Sequence, residues 1–162
     1  LISWWTHCRT SGVRSVTIVH DFPKNAVDIV VNSGISGLVC LSSVGRAARV
    51  RGDPKALRTE QGSELTSQAL GQWAYANDVT LKLIEPGKPT QNAYIELFNG
   101  KFRVECLNEH GSTTLAHARA ITAAWRQNYN EEWPRSALNY LSPGKISGPL
   151  WLFLYDLLAK VD

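Results

Sequence analysis

Two β-branched runs constrain this chain most. Residues 14–20 read RSVTIVH and residues 26–32 read AVDIVVN, split at 21–25 by a segment containing Pro23. Branching at Cβ suits a pleated strand, and proline has no N–H to give a ladder, so the pair predicts an antiparallel hairpin with its turn at Asp21–Asn25. A lone hairpin is marginal in water and needs more strands or a covering helix. The rest of the chain supplies both in alternation. Leu1–Thr6 is predicted as a first strand, closed by a Ser11-Gly12 turn. Gly34–Arg51 is predicted as a poor helix, because Ser42, Ser43 and Gly45 sit in its middle, where glycine costs about 1 kcal/mol against alanine. Asp53-Pro54 ends it, and a short strand at Ala56–Thr59 delivers Glu60 to its tip. A helix capped by Thr66 or Ser67 runs to Asn77 with Leu70, Trp73 and Ala76 inward. A strand at Val79–Ile84 and a two-proline loop at 85–89 lead into a helix carrying Glu96. A last helix, from about Thr113 to Tyr129, has the stripe Leu115, Ala118, Thr122, Trp125 and Tyr129. This order predicts a mixed α/β sheet with helices on its faces.

Composition narrows the class. A chain of 162 residues, 44% hydrophobic and 19% charged, is one globular domain and not a disordered segment. Cys8, Cys40 and Cys106 form no Cys-x-x-Cys pair, and the four histidines share no ligand spacing with them. That argues against a zinc ribbon or redox motif and for reduced cytoplasmic thiols. The opening LISWW lacks the basic leader of a signal peptide, and the chain has no methionine, so a piece of something longer is expected. The apolar run Pro149–Tyr155 is too short to span a bilayer, and no membrane partner is expected. Net charge is only +3, but Arg46, Arg49, Arg51, Lys55 and Arg58 face Asp53 alone between positions 46 and 58. A solvated basic helix end and a phosphate-facing patch are even alternatives for that run.

Two acids stand out by placement. Glu60 follows a short apolar stretch at a strand end, Glu96 lies in a helical pattern, and 35 residues separate them. Tyr94, Leu97, Phe98 and Phe102 form one stripe of that helix, and Asn92, Glu96, Asn99 and Arg103 form another. Taken blindly, two glutamates are ordinary solvated carboxylates. A carboxylate on a polar helix face aimed at one on a strand tip is, however, what a hard divalent cation needs, with substrate phosphates completing its shell. A pair of such ions can clamp both oxygens of a phosphoryl transfer.

The wording of the chain adds a resemblance. QGSELTSQALGQWAYANDVTLKLIEPGKPTQNAYIELFNGKFRVECLNEH, and then LAHARAITAAWRQNYNEEWPRSALNYLSP, closely resemble insertion-sequence transposases of the second-open-reading-frame type. The likeness runs from about Arg14 to Pro143, and PGKPTQNAYIELFNGKFR is its most specific block. It implies an RNase H-like, retroviral-integrase-like catalytic core with a five-stranded mixed sheet at 1–143, followed by an unrelated apolar tail at 144–162. It also implies an Asp-Asp-Glu triad with 35 residues between the second Asp and the Glu. Glu96 matches that Glu, Glu60 stands where the second Asp belongs, and Arg103 matches the basic residue seven positions after the Glu.

The implied function is DNA transposition and integration by metal-dependent strand cleavage and transfer, with Mg2+ or Mn2+ as cofactor. Glu60 and Glu96 are then the metal ligands, and Asn92, Asn99, Lys101 and Arg103 are placed on DNA, or the two asparagines on the Glu96 carboxylate. Implied partners are transposon ends, target DNA and further copies of the chain, in a bacterial, nucleoid-associated cytoplasmic setting. The chain departs from the pattern at its first strand. The first Asp falls at about Trp4, no carboxylate precedes Asp21, and neither Asp21 nor Asp28 matches the missing acid. Two expectations therefore compete: a transposase core with impaired catalysis, and a non-catalytic DNA-binding or interaction module that keeps the fold.

Overall fold

A computed structural model describes residues 2–10, 13–21, 23–59, 68–84, 89–108, 114–134 and 140–146; for 2–10 and 89–92 only the backbone is described. Five strands form one sheet: β1 (Ile2–Thr10), β2 (Val13–His20), β3 (Ala26–Asn32), β4 (Ala56–Thr59) and β5 (Thr80–Leu83). Their spatial order is β3-β2-β1-β4-β5. β1–β2 and β2–β3 are antiparallel, while β1–β4 and β4–β5 are parallel. The predicted hairpin is present, and the mixed five-stranded sheet is the one expected. The first strand is longer than expected, extending to Thr10 because it pairs with β2 as far as Thr10↔Val13.

Parallel neighbours need a crossover connection, and helices provide it. Helix α1 (Gly37–Arg51) leads from edge strand β3 to β4, and α2 (Gln68–Ala76) lies between β4 and β5 in the chain. Helix α3 (Pro89–Phe102) continues into a π-helical run, Arg103–Asn108, and α4 (Leu115–Glu131) follows. A short α5 (Pro143–Ile146) comes last. Val16, Ile18 and Leu57 pack under α1 and α2 with Cys40, Val44, Leu70 and Ala74. On the opposite face Val19, Ile29 and Val31 pack under α3 and α4 with Ile95, Phe98, Phe102 and Tyr129. β2 is thus covered on both sides, which is why its sequence is an almost unbroken β-branched run.

Helix α1 is sounder than its serines suggest. The Ser36 hydroxyl caps it by accepting from the Val39 N–H at 3.4 Å, and Gly52 closes it at φ +82° with its N–H on Ala48 O at 2.8 Å. The hydroxyls of Ser42 and Ser43 both donate to the Val39 carbonyl, at 2.9 and 2.8 Å. That back-bonding satisfies Ser43, which is fully buried, without a partner from outside the helix. The expected stripe of α4 is present, with Ala118, Thr122 and Tyr129 buried and Leu115 and Trp125 packed at the margin. The stripe expected for α3 is rotated. Ile95 is buried, and Leu97 is 71% exposed.

Candidate active site on the α3 face

Glu96 stands on the exposed side of α3, one residue after fully buried Ile95. What fixes its helix is aromatic packing. The Phe98 ring meets Trp125 and Tyr129 edge-on at centroid distances of 5.6 and 5.0 Å, and Phe102 meets Trp125 at 5.2 Å. Such pairs add about 0.5–1.5 kcal/mol each beyond the area they bury. Tyr94 ties the helix to the β2–β3 turn. Its hydroxyl donates to Lys24 O at 3.0 Å and lies 3.1 Å from the Tyr129 hydroxyl, and the Lys24 ammonium sits 4.2 Å over its ring. Lys24 itself has a left-handed φ of 69°.

The polar face expected for α3 divides. Asn99 is buried at 7% exposure, and its Oδ1 accepts from the Thr17 hydroxyl of β2 at 3.0 Å. Thr17 is fully buried among apolar neighbours, so its hydroxyl needs an acceptor, and that need turns Asn99 inward. Asn99 therefore does not stand on the outer face where it was expected. Lys101 is exposed and carries its ammonium 4.1 Å over the Trp133 ring. Arg103 is exposed and opens the π-helical run, a helix type that recurs at functional sites. The Asn92 side chain and all of Glu60 lie outside the described residues, so the separation of Glu60 and Glu96 is not part of this geometry.

Position 4 of β1 is in register with Val19 of β2 and Arg58 of β4, and Trp5 is in register with Thr59. Val19 belongs to the row that α3 covers. Thr59, the residue before Glu60, is buried, and its carbonyl accepts from the Ile84 N–H at 2.9 Å. Burial lowers the Arg58 guanidinium from its ordinary value, against the Coulombic effect of the Asp21 carboxylate. Among the described residues no group of three His, Cys, Asp or Glu could hold a metal ion.

Of the basic run, Arg49, Arg51 and Lys55 are exposed and Arg58 is half-buried. Arg46 is committed to an ion pair, its Nε and Nη2 both on Asp28 Oδ2. Cys40 and Cys106 are both buried. Sequence reasoning missed the Thr17–Asn99 bond, the Lys101–Trp133 pair and the arginines of α4 that reach β3. Only the unusual buried threonine in β2 was a signal for any of them.

A sheet of this order, with a glutamate on a helix packed against the face that carries Val19, Ile29 and Val31, has the RNase H-like fold of an integrase core. Comparison agrees. Family models described as integrase core domain match residues 4–89 and 77–143. The insertion element IS407 uncharacterized 31.7 kDa protein of Burkholderia multivorans is 69% identical over 135 residues, covering 83% of this chain and 49% of that protein. The insertion element IS476 uncharacterized 39.2 kDa protein of Xanthomonas euvesicatoria is 47% identical over 135 residues, covering 83% and 39%. The chain thus spans about half or less of the relatives it matches. Among solved structures, a simian T-cell lymphotropic virus intasome in complex with PP2A regulatory subunit B56 gamma superposes with a TM-score of 0.74 at 15% identity, over 91% of this chain and 54% of that one. The HTLV-2 integrase catalytic core domain in complex with magnesium, in a trimeric form, gives 0.65 at 14% identity, over 91% and 95%. The chain belongs to the integrase core domain family.

Proposed function

We propose that this chain is the catalytic-core part of a DNA transposition protein, with strand cleavage impaired by its first strand. The observation that supports this reading best is Glu96 itself, on the exposed side of a helix that Phe98, Phe102 and Asn99 lock onto α4 and β2. Glu60, one residue past Thr59, is the second carboxylate of that place in the chain.

Glu96 and Glu60 would hold a hard divalent cation, Mg2+ or Mn2+, which when bound polarises a phosphodiester and activates water. Two carboxylates suit one such ion. They fall short of two, because position 4, which the resemblance assigns to the first acid, carries an indole. Lys101 and Arg103 follow Glu96 in the chain, are exposed, and would offer positive charge to an incoming phosphate, with Asn92 near the start of α3. Asn99 is a positioning residue, acting on the tilt of α3 through Thr17. The core takes 1–143 and the tail 144–162, in a protein that works on transposon ends and target DNA as an assembly of copies in the bacterial cytoplasm. Among the described residues no helix is long and apolar enough to cross a membrane.

The second reading, a DNA-binding module without catalysis, is favoured by the same Trp4. Metal separates the two. Binding to the folded state alone must raise the melting temperature. Magnesium or manganese should raise it for the unmodified chain and not for Glu96→Gln. An equal rise in both variants, or none in either, speaks for the module without a metal site.

A further inference from the structure

We infer a second polyanion track on the outer edge of β3, remote in the sheet order from the β1–β4 row. This inference rests on the DNA reading above and adds to it a surface that the metal site does not use. A groove of about 370 Å³ runs along this edge strand. Three arginines reach it from opposite faces of the sheet, Arg46 from α1 and Arg119 and Arg126 from α4. Asp28 is its one carboxylate, held by Arg46.

The arginines of α4 are preset. Arg119 Nε donates to Val31 O at 3.2 Å, and Arg126 Nη1 donates to Val27 O at 3.0 Å and Ala26 O at 3.5 Å. A guanidinium carries five N–H donors, so each keeps donors beyond those that fix it. Arg126 follows Arg119 by seven positions, about 10.5 Å along a helix. Exposed Ala123 lies between them and leaves a notch. Charges spaced along such a line fit a row of phosphates better than a single small anion.

The same bonds decide against a peptide or a second copy adding to the sheet here. An added strand pairs with the outward carbonyls of an edge, and guanidinium groups already occupy those of Val27 and Val31. DNA needs no strand carbonyls, only donors for its phosphates. Three positive groups against one negative give the groove the complementary sign.

The test measures duplex affinity of the full chain against salt, with variants that spare the strand caps. Ala123→Glu puts a carboxylate between the arginines, Ala123→Lys puts a cation there, and Ala123→Gln is the neutral control on an exposed helix position. At low salt Ala123→Glu should weaken binding about tenfold, and Ala123→Lys should tighten it several-fold and steepen the log–log salt dependence by about one. Asp28→Asn, which releases Arg46, should also tighten binding. Identical affinities for all four variants and the unmodified chain would overturn the track while leaving the DNA reading standing. No duplex binding by the unmodified chain would overturn both. Self-association that Ala123→Glu abolishes at unchanged duplex affinity would give the groove to a second copy and overturn the DNA assignment.

Discussion

Strand β1 and helix α3 are the two elements that an integrase core brings together, and in this chain they have fared differently. Helix α3 carries Glu96 on its exposed side, and Tyr94, Phe98, Asn99 and Phe102 make the contacts that hold it in place. β1 pairs with β2 from Ser3↔His20 to Thr10↔Val13 and with β4 from Ile2↔Ala56 to Trp5↔Thr59, and carries tryptophan at position 4, where the resemblance implies an acid. A strand is held by backbone groups common to every residue, whereas a metal ligand is a particular oxygen, so a sheet can keep its pairing through a substitution that removes a ligand.

If the aromatic packing is what holds α3, breaking it should have the largest effect on stability. Phe98→Ala removes a ring that is 1% exposed and touches two others, and should destabilise the fold by about 3–5 kcal/mol in urea unfolding. A loss under about 1 kcal/mol would mean that α3 is held some other way.

A smaller effect sharpens the role of Asn99. Asn99→Ala leaves the Thr17 hydroxyl buried without its acceptor and should cost about 1–3 kcal/mol. Adding Thr17→Val should recover part of that loss, since the orphaned hydroxyl is then gone. Equal stabilities for the single and double variants would show that the pair does not couple β2 to α3.

The smallest effect is a pH dependence in the π-helical run that follows α3. Burial pushes the Cys106 thiol up to about 11 from an ordinary 9.0, against a lesser opposite effect of Thr122. Because the folded value is the higher one, the contribution is intact below pH 9 and is lost as pH rises from about 9 to 11. Cys106→Ala should flatten the fall in stability over that window. A thiol that reacts freely in the native protein near neutral pH would contradict its burial.

Much of this architecture was legible. β-Branched runs, Gly and Pro punctuation and helical periods located all five strands and the main helices, because each signal reports a local backbone requirement. Rotation about a helix axis is less local. Leu97 stands three positions after Tyr94 and Ile95 three before Phe98, so both fit a helical recurrence, and only the faces of β2 and α4 decide that Ile95 goes inward. Asn99 was read as outward for the same reason, since nothing near it in the chain reveals the threonine 82 residues away. Glu96 and its basic companions were singled out mainly through the specific wording of 86–103. The groove on β3 was illegible because Arg46, Arg119 and Arg126 meet only through the sheet edge.

A persisting scaffold with an incomplete donor set should bind without cutting, and the decisive assay is strand nicking on a labelled transposon-end duplex with manganese. The unmodified chain is compared with the double variant Trp4→Asp, Glu60→Asp, and each with its Glu96→Gln counterpart. Longer Glu60 misplaces its oxygens by about one methylene, an error on a scale that can cost on the order of 10²-fold, and an absent first acid should cost more. The account predicts no nicking by the unmodified chain and clear nicking by the double variant that Glu96→Gln abolishes. Nicking by the unmodified chain that Glu96→Gln abolishes would contradict it.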